Sequence, residues 1–201
     1  MELDPEQIPA SALYQHLIRT IVPRPIAWVS TISQSGITNL APFSFYTGAG
    51  SRPPSVVFCP SNRRDGSPKD TLRNIQETQE FVINVVPFRL AVAMNLSSSE
   101  VPEDESEFVL TGMTATLSTT VKPPRVAESP VCFECRLLQL LPLGTGPGGA
   151  NVVVGRILHI HLDDAVLDAD GNADPGLLDL IGRLGGASYC RTTDRFDLPR
   201  P

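Results

Sequence analysis

Two apolar stretches decide the fold: VCFECRLLQLL at Val131–Leu141 and VVVGRILHIHL at Val152–Leu162, which flank a glycine-rich segment. Both are rich in β-branched and large apolar residues, and this composition indicates strands. The glycine-rich segment between them is typical of a hairpin connection, so we expect the two strands to pair antiparallel. The protein should therefore be built largely from antiparallel strands.

The rest of the chain adds shorter strands and a few helices. A β-hairpin is predicted from Ile26–Ile32 and Ile37–Leu40 around Gln34-Ser35-Gly36. Further strands are expected over 55–59, 80–86 and 113–120, and one or two helical turns over 90–94. Helices are predicted over 11–21, from Ser67 as N-cap with Pro68 first to about 78, and from Asp174 through Leu184 to the stop Gly185-Gly186. This order lacks βαβ alternation and favours a closed or nearly closed barrel.

Length and charge narrow the classes of protein. The 201 residues suit a single domain, 1–201, with a barrel core at about 20–165 and a C-terminal helix and tail at 174–201. A net charge of −6 without a basic cluster argues against a nucleic-acid partner. No apolar run reaches the roughly 18 to 20 residues that a bilayer requires, and no signal peptide is evident. We expect a soluble, cytoplasmic protein with reduced cysteines.

Three local patterns imitate binding motifs. Gly144–Gly149 spells a dinucleotide fingerprint, but the residues after it predict a strand, whereas the fingerprint needs a helix there. Cys132 and Cys135 would point to opposite faces of one strand. His159 and His161 share a strand face but lack a third ligand. We therefore predict no metal site.

The blocks PRPIAWVST (23–31), NLAPFSFY (39–46), PP (53–54), KDTLRNI (69–75), EFVIN (80–84), KPPRVAESP (122–130) and FEC (133–135) occur in that order. Together they resemble the flavin-reductase-like FMN-binding family, which includes flavoredoxins, over roughly residues 15–190. The resemblance implies an FMN-binding split β-barrel, mainly β with short helices, with an antiparallel Greek-key arrangement. It also implies a homodimer with the flavin near the subunit interface.

The residues themselves suit an anionic ligand at one point. Lys69, Asp70 and Thr71 would lie at the start of a helix, where free backbone N–H groups, an ammonium and a hydroxyl favour a phosphate. An ordinary capped surface helix with a solvated lysine is the alternative. With the resemblance, we interpret this block as the FMN phosphate site.

A second block suits a planar ring. Ala41-Pro42 would present rigid backbone to a flat ligand. The resemblance places Asn39–Tyr46 along the isoalloxazine and implies contacts from Ser30, Thr31, Asn39, Ala41, Pro42, Phe43 and Ser44, with Ser61, Asn62 and Arg63 as further ribityl or phosphate contacts. For at least two of Phe43, Phe45 and Tyr46, and for Trp28, we expect core packing.

The resemblance implies hydride transfer from NADH or NADPH to the flavin, and then electron transfer to a small molecule or a partner redox protein. No nucleophile, carboxylate pair or triad is evident, as expected where a cofactor supplies the chemistry. Two alternatives remain: an FMN-binding electron carrier or accessory subunit without turnover of its own, and a barrel that holds a different ligand, such as haem or a pyridoxal-type phosphate.

Overall fold

The structure, a computed structural model, describes residues 1–200. The strands are β1 (Ala27–Ile32), β2 (Thr38–Phe43), β3 (Tyr46–Ser51), β4 (Pro54–Phe58), β5 (Glu80–Asn84), β6 (Ala115–Thr116), β7 (Arg125–Val126), β8 (Val131–Pro142), β9 (Asn151–Leu162), β10 (Ile181–Gly185) and β11 (Ser188–Arg191). The α-helices are α1 (Ala10–Thr20), α2 (Asp70–Thr78), α3 (Ala91–Leu96), α4 (Glu107–Thr111) and α5 (Pro175–Leu178).

Seven strands form one antiparallel sheet in the order β2-β1-β5-β8-β9-β4-β3. Its two edge strands, β2 and β3, are joined by Ser44 and Phe45 alone. Because so short a link holds the two edges close together at one corner, the sheet curls into a nearly closed barrel. The prediction of a mainly β, antiparallel fold is confirmed.

The long hairpin is formed by β8 and β9, whose register runs from Val131 opposite Leu162 to Pro142 opposite Asn151. Gly144–Gly149 lies in the loop between them, and a strand follows it. The rejection of the dinucleotide fingerprint is therefore supported by the local structure. Cys132 and Cys135 are buried in separate apolar clusters, as expected for opposite strand faces.

Strand β1 is buried on both faces. Ala27 and Val29 belong to the apolar cluster that includes Phe58 and Phe81, whereas Trp28 packs with Leu40 in a second cluster. Alternate residues of a strand point to opposite sides, so β1 separates these two cores. Trp28 has no exposed surface, and its predicted role in core packing is confirmed.

Helix α2 packs against β1, β2 and β5. Its residues Leu72 and Ile75 are buried in the same cluster as Phe58. The helix starts at Asp70, with Lys69 as N-cap, so the predicted start at Ser67 is wrong. Ser67 instead donates from its backbone N–H and its hydroxyl to the Asp65 carboxylate, at 2.8 and 2.6 Å, and thereby forms a turn before the helix.

The segment 39–46, of which only Asn39 and Leu40 were predicted as strand, is mostly strand. Residues 39–43 belong to β2, and Tyr46 is the first residue of β3. Strand β3 was not predicted from the sequence. Its run Gly48-Ala49-Gly50 has little β propensity, but the backbone of β3 pairs with β4. Conversely, the strand predicted over 113–120 is reduced to Ala115–Thr116.

The predicted C-terminal helix is wrong beyond its first turn. Helix α5 ends at Leu178, and β10 and β11 then form a hairpin with Gly186 in its turn, at a φ of 55°. The apolar positions suited a helix, but the Ile181 N–H donates to the Val86 carbonyl 3.2 Å away, which holds this segment in an extended form. Long-range backbone pairing overrides the local spacing here.

The acidic segment 100–107 is exposed over most of its length but ends in a buried carboxylate. Glu107 is buried and begins α4, with the Ser106 hydroxyl accepting a hydrogen bond from the Phe108 N–H. Within residues 1–200, none of the helices combines the length and apolar character needed to cross a bilayer.

Candidate functional site

A cavity lies where the first turn of α2 faces the edge strand β2. Eight of the predicted cofactor-binding residues line it: Asn39, Ala41, Pro42, Phe43, Arg63, Lys69, Asp70 and Thr71. The opposite wall is formed by residues 97–101 together with Glu107. The two segments that the sequence assigned to opposite ends of one ligand therefore meet at one site.

The first turn of α2 is available to an anion. Its N-cap residue, Lys69, makes no side-chain capping bond. The first backbone N–H groups of a helix have no partner within the helix, and they carry partial positive charge. The Lys69 ammonium lies 5.9 Å from the centre of the Phe43 ring and is in no ion pair within residues 1–200. Burial lowers its pKa; the nearby Glu100 carboxylate opposes this shift, and Arg63 adds to it.

A buried hydrogen bond joins the two sides of the cavity. The Asn39 side-chain amide donates to the Thr71 hydroxyl at 2.9 Å, and both residues are buried. Because the Thr71 oxygen accepts this bond, its own proton remains available for another acceptor. Asn39 thereby fixes Thr71 as a donor next to the free end of α2.

Asp70 has a different partner from the one predicted. Its carboxylate forms an ion pair with Arg63 and another with Arg73, the latter at 2.6 Å. Arg73 also binds Glu103 at 2.8 Å, just beyond the cavity wall formed by 97–101. Asp70 lines the cavity, but its charge is used to hold Arg63 and Arg73, so we now interpret it as a support for the arginines.

Ser44 lies in an adjoining cleft that shares Pro42, Phe43 and Ser98 with the cavity. Its hydroxyl accepts a hydrogen bond from Arg24 Nε at 3.3 Å. The remaining walls of the cleft come from the residue before β1, from α3 and from the C-terminal hairpin: Ile26, Met94, Asn95, Arg183 and Tyr189.

Four predicted contacts do not line the cavity or the cleft. Ser30 donates to the Pro124 carbonyl at 2.5 Å, and Thr31 accepts from Asn74 on α2 at 3.0 Å; the three side chains are buried. Asn62 donates to the Gly146 carbonyl at 3.1 Å, which ties two loops together. The fourth, Ser61, is exposed and pairs with Ala150. In this structure, these groups bind other parts of the chain.

Sequence reasoning missed the wall formed by 97–101 and Glu107. The Glu107 carboxylate accepts a hydrogen bond from the Leu40 N–H at 2.8 Å, and burial raises its pKa. The sequence did contain one signal: Ser106, a good N-cap, precedes the apolar run Phe108–Leu110 and so marks a helix start. The position of that helix over β2 depends on tertiary packing.

His159 and His161 lie with their ring centres 4.5 Å apart, and the latter binds Glu134 at 2.5 Å. Within residues 1–200, no three histidine, cysteine, aspartate or glutamate side chains lie close enough together to hold a metal ion.

Comparison with known proteins places this chain in a family. Residues 18–185 match the model of the flavin reductase like domain. A Deinococcus radiodurans protein of unknown function is 42% identical, with 96% of this chain and 86% of that protein covered.

Two solved structures are similar over almost the whole chain. Nitrilotriacetate monooxygenase component B from Bacillus cereus has a TM-score of 0.93 at 28% identity, covering 98% of each chain. The Pseudomonas fluorescens 2-nitrobenzoate 2-nitroreductase has a TM-score of 0.89 at 32% identity, covering 100% of this chain and 96% of that one. With its split-barrel fold and a family match over most of its length, this chain belongs to the flavin reductase like family.

Proposed function

We propose that this protein binds FMN and acts as an oxidoreductase that takes a hydride from NADH or NADPH and passes electrons to a small-molecule acceptor or a partner redox protein. The observation that carries the proposal is the cavity between the first turn of α2 and β2. Membership of the flavin reductase like family supports a flavin as its ligand.

The end of the cavity at α2 fits a phosphate. Lys69 supplies an ammonium that no carboxylate neutralises at ion-pair distance, Thr71 supplies a hydroxyl proton, and the helix supplies free N–H groups. Arg63 adds a guanidinium at the cavity wall. These are the donors that a phosphate monoester requires, so the residues present fit the phosphate of FMN.

The end of the cavity at β2 fits a flat ring. Because β2 is an edge strand, one side of its backbone is not used by the sheet. Pro42 is tolerated there because an edge position does not need its missing N–H. Ala41 and Pro42 have small or compact side chains, which lets a planar ligand approach the backbone closely.

FMN, when bound, would accept the hydride and release electrons one or two at a time to an acceptor. The side chains of the protein would hold the phosphate, orient the ring and keep water away from it. The cavity residues include no hydrogen-bonded nucleophile and base, in agreement with a site whose work is binding and orientation.

The direct test combines spectroscopy with a matched pair of variants. Wild-type protein should take up FMN, and NADH or NADPH added without oxygen should bleach the visible flavin bands. Lys69→Ala with Thr71→Ala should weaken FMN binding at least tenfold. The control, Lys122→Ala with Thr47→Ala, changes the other lysine of the chain and an exposed threonine, and it should bind FMN like the wild type.

Equal FMN affinity in the two double variants would refute the phosphate assignment. If the protein retains FMN but oxidises neither NADH nor NADPH, and only another redox protein reduces its flavin, the protein is an electron carrier and not an oxidoreductase. A wild-type protein that binds no FMN would refute the proposal as a whole.

We also propose that the protein is a cytoplasmic homodimer. Large apolar side chains remain exposed on the helices near the cavity, with Val92 at 83% and Val109 at 84%. A symmetric dimer would cover such surface. Sedimentation equilibrium should give twice the chain mass of 21.7 kDa, and a mass of one chain at micromolar concentration would contradict the dimer.

A further inference from the structure

Two arginines face each other across an antiparallel backbone bridge. The Arg24 N–H donates to the Arg183 carbonyl at 2.9 Å, and the Arg183 N–H donates to the Arg24 carbonyl at 2.8 Å. Directly opposite residues of an antiparallel pair project to the same side, and like charges in such a pair are destabilising. An anion between or beside the two guanidinium groups would offset their repulsion.

Neither guanidinium has a carboxylate within ion-pair distance in residues 1–200. Arg24 is 4% exposed, and its Nη1 donates to three backbone carbonyls, those of Ile18, Ile21 and Leu184, at 2.6, 2.7 and 3.1 Å. Arg183 donates to the Gly186 carbonyl at 2.6 Å and to the Tyr189 hydroxyl. All of these partners are neutral, so both positive charges remain uncompensated.

The two arginines border the cleft next to the proposed flavin site. Arg24 does not line the cleft, but its Nε donates a hydrogen bond to the hydroxyl oxygen of Ser44, which does. Because the Ser44 oxygen accepts this bond, the Ser44 hydroxyl proton is free to bind another acceptor. Arg183 lines the cleft itself, and its guanidinium carbon lies over the Tyr189 ring, 4.6 Å from the ring centre. This contact and the bond to the Gly186 carbonyl hold the guanidinium in place.

We propose that this cleft binds the carboxylate or phosphate group of the molecule that exchanges electrons with the flavin, through Arg183 and Ser44, with Arg24 as a positioning residue. The inference rests on the proposed function, because the cleft adjoins the cavity at Pro42 and Phe43. A planar guanidinium that carries an unneutralised charge is suited to two-point binding of an oxyanion. Ile26, Met94 and the Tyr189 ring supply apolar walls for an attached ring.

Two kinds of molecule carry such an oxyanion: an organic acid that accepts electrons has a carboxylate, and the nicotinamide nucleotide has phosphates. Benzoate and AMP serve as probes for them. Calorimetric titration of the FMN-loaded protein should detect binding of at least one probe. Inhibition by benzoate competitive with the acceptor would assign the cleft to the acceptor, and inhibition by AMP competitive with the nicotinamide would assign it to the reductant.

Arg183→Met should weaken binding of that probe at least tenfold and raise the KM of the same reactant, with FMN affinity unchanged. Arg183→Lys, which keeps the charge but loses the planar fork, should be intermediate. Arg191→Met is the matched control, since Arg191 lies on the same hairpin but binds Asp179 at 2.7 Å and does not line the cleft. It should bind the probe like the wild type.

The proposal fails if FMN-loaded wild-type protein binds neither probe, or if Arg183→Met binds both as tightly as the wild type does. It also fails if the variant changes FMN affinity or the flavin reduction potential with the probe affinities intact, because Arg183 would then contact the flavin. Each of these results leaves FMN binding by the wild type in place, whereas failure of the proposed function would appear as a wild type without flavin.

Discussion

Buried polar side chains hold loops to the sheet through hydrogen bonds in this molecule. Glu134, on β8, has no exposed surface, yet its carboxylate accepts hydrogen bonds from the backbone N–H groups of Thr119 and Thr120, each at 2.6 Å. The Thr120 hydroxyl and His161 bind it as well. Burial raises the pKa of Glu134, but these hydrogen bonds outweigh burial and lower the pKa to about 2.

The lowered pKa predicts a defined acid response. The folded state holds the Glu134 proton less readily than the unfolded chain does, so ionised Glu134 stabilises the fold at pH values above its ordinary pKa of 4.5. That contribution, about 3 kcal/mol, is lost as the pH falls from about 4.5 to about 2. Glu134→Gln should lower the free energy of unfolding at pH 7 and flatten its dependence on pH in that window.

Denaturant unfolding at a series of pH values measures this effect. Glu77→Gln removes an exposed carboxylate from α2 and serves as the control, with wild-type pH dependence expected. A steep loss of stability between pH 4.5 and pH 2 that persists in Glu134→Gln would contradict the assignment.

The single tryptophan connects the core to the wall of the site. Trp28 Nε1 donates to the Ser97 hydroxyl at 2.8 Å, and Ser97 lines the cavity. Ser97→Ala leaves a buried indole N–H without a partner, so we expect a loss of about 1–3 kcal/mol in unfolding free energy. Trp28→Phe with Ser97→Ala removes both partners and should cost less than the sum of the single changes.

Fluorescence of the only tryptophan reports on the same bond, because the emission maximum of Trp28 should shift in Ser97→Ala. The neighbouring Ser98→Ala is the control: its hydroxyl bonds only the nearby Asn95 carbonyl and is exposed. Strictly additive losses in the double-mutant cycle would show that the Trp28–Ser97 bond contributes nothing.

At the scale of elements, close packing decides where strands can pass. A Cβ at Gly155, on β9, would lie 2.3 Å from the Phe81 ring, which extends from β5 across the intervening strand β8. The aromatic ring occupies the space that a side chain would need. Glycine is therefore required for steric reasons at a position where the backbone conformation is ordinary.

Gly155→Ala should destabilise the barrel by about 1–3 kcal/mol, because Phe81 is buried and cannot move aside freely. Gly48→Ala, in the edge strand β3, meets no atom within 4 Å and is the matched control. Thermal unfolding of both variants measures the difference. An unchanged midpoint in Gly155→Ala would mean that the Phe81 ring has room that the structure does not show.

At the scale of the whole molecule, a ligand that joins β2 to α2 should stabilise the fold. Binding to the folded state alone adds about 2.7 kcal/mol when the ligand is present at 100 times its Kd. FMN should raise the unfolding midpoint more than riboflavin at equal concentration, because riboflavin lacks the phosphate that the Lys69 end would bind. In Lys69→Ala with Thr71→Ala this advantage of FMN should shrink; an advantage as large as in the wild type would place the phosphate elsewhere.

Much of this arrangement could be predicted from the sequence. The strand-rich composition, the 131–162 hairpin and helix α2 follow from spacing between near neighbours, and local turn and capping residues mark their ends. The convergence of Lys69 and Thr71 with 39–43 was implied by the resemblance to the flavin-reductase-like family, and spacing between near neighbours does not predict it. Conformational preferences that act over a few residues are present in the chain before it folds.

Other features were decided only by the tertiary structure. The C-terminal segment became a hairpin because Ile181 pairs with Val86, and Glu107 was buried because α4 packs over β2. The two arginines of the cleft meet although 159 positions separate 24 from 183. The amino-acid sequence by itself determined the long hairpin strands and helix α2, through short-range periodicity, but it did not determine β3 or the C-terminal hairpin. Which segments touch depends on burial and backbone pairing between distant parts of the chain, and no local pattern encodes those contacts.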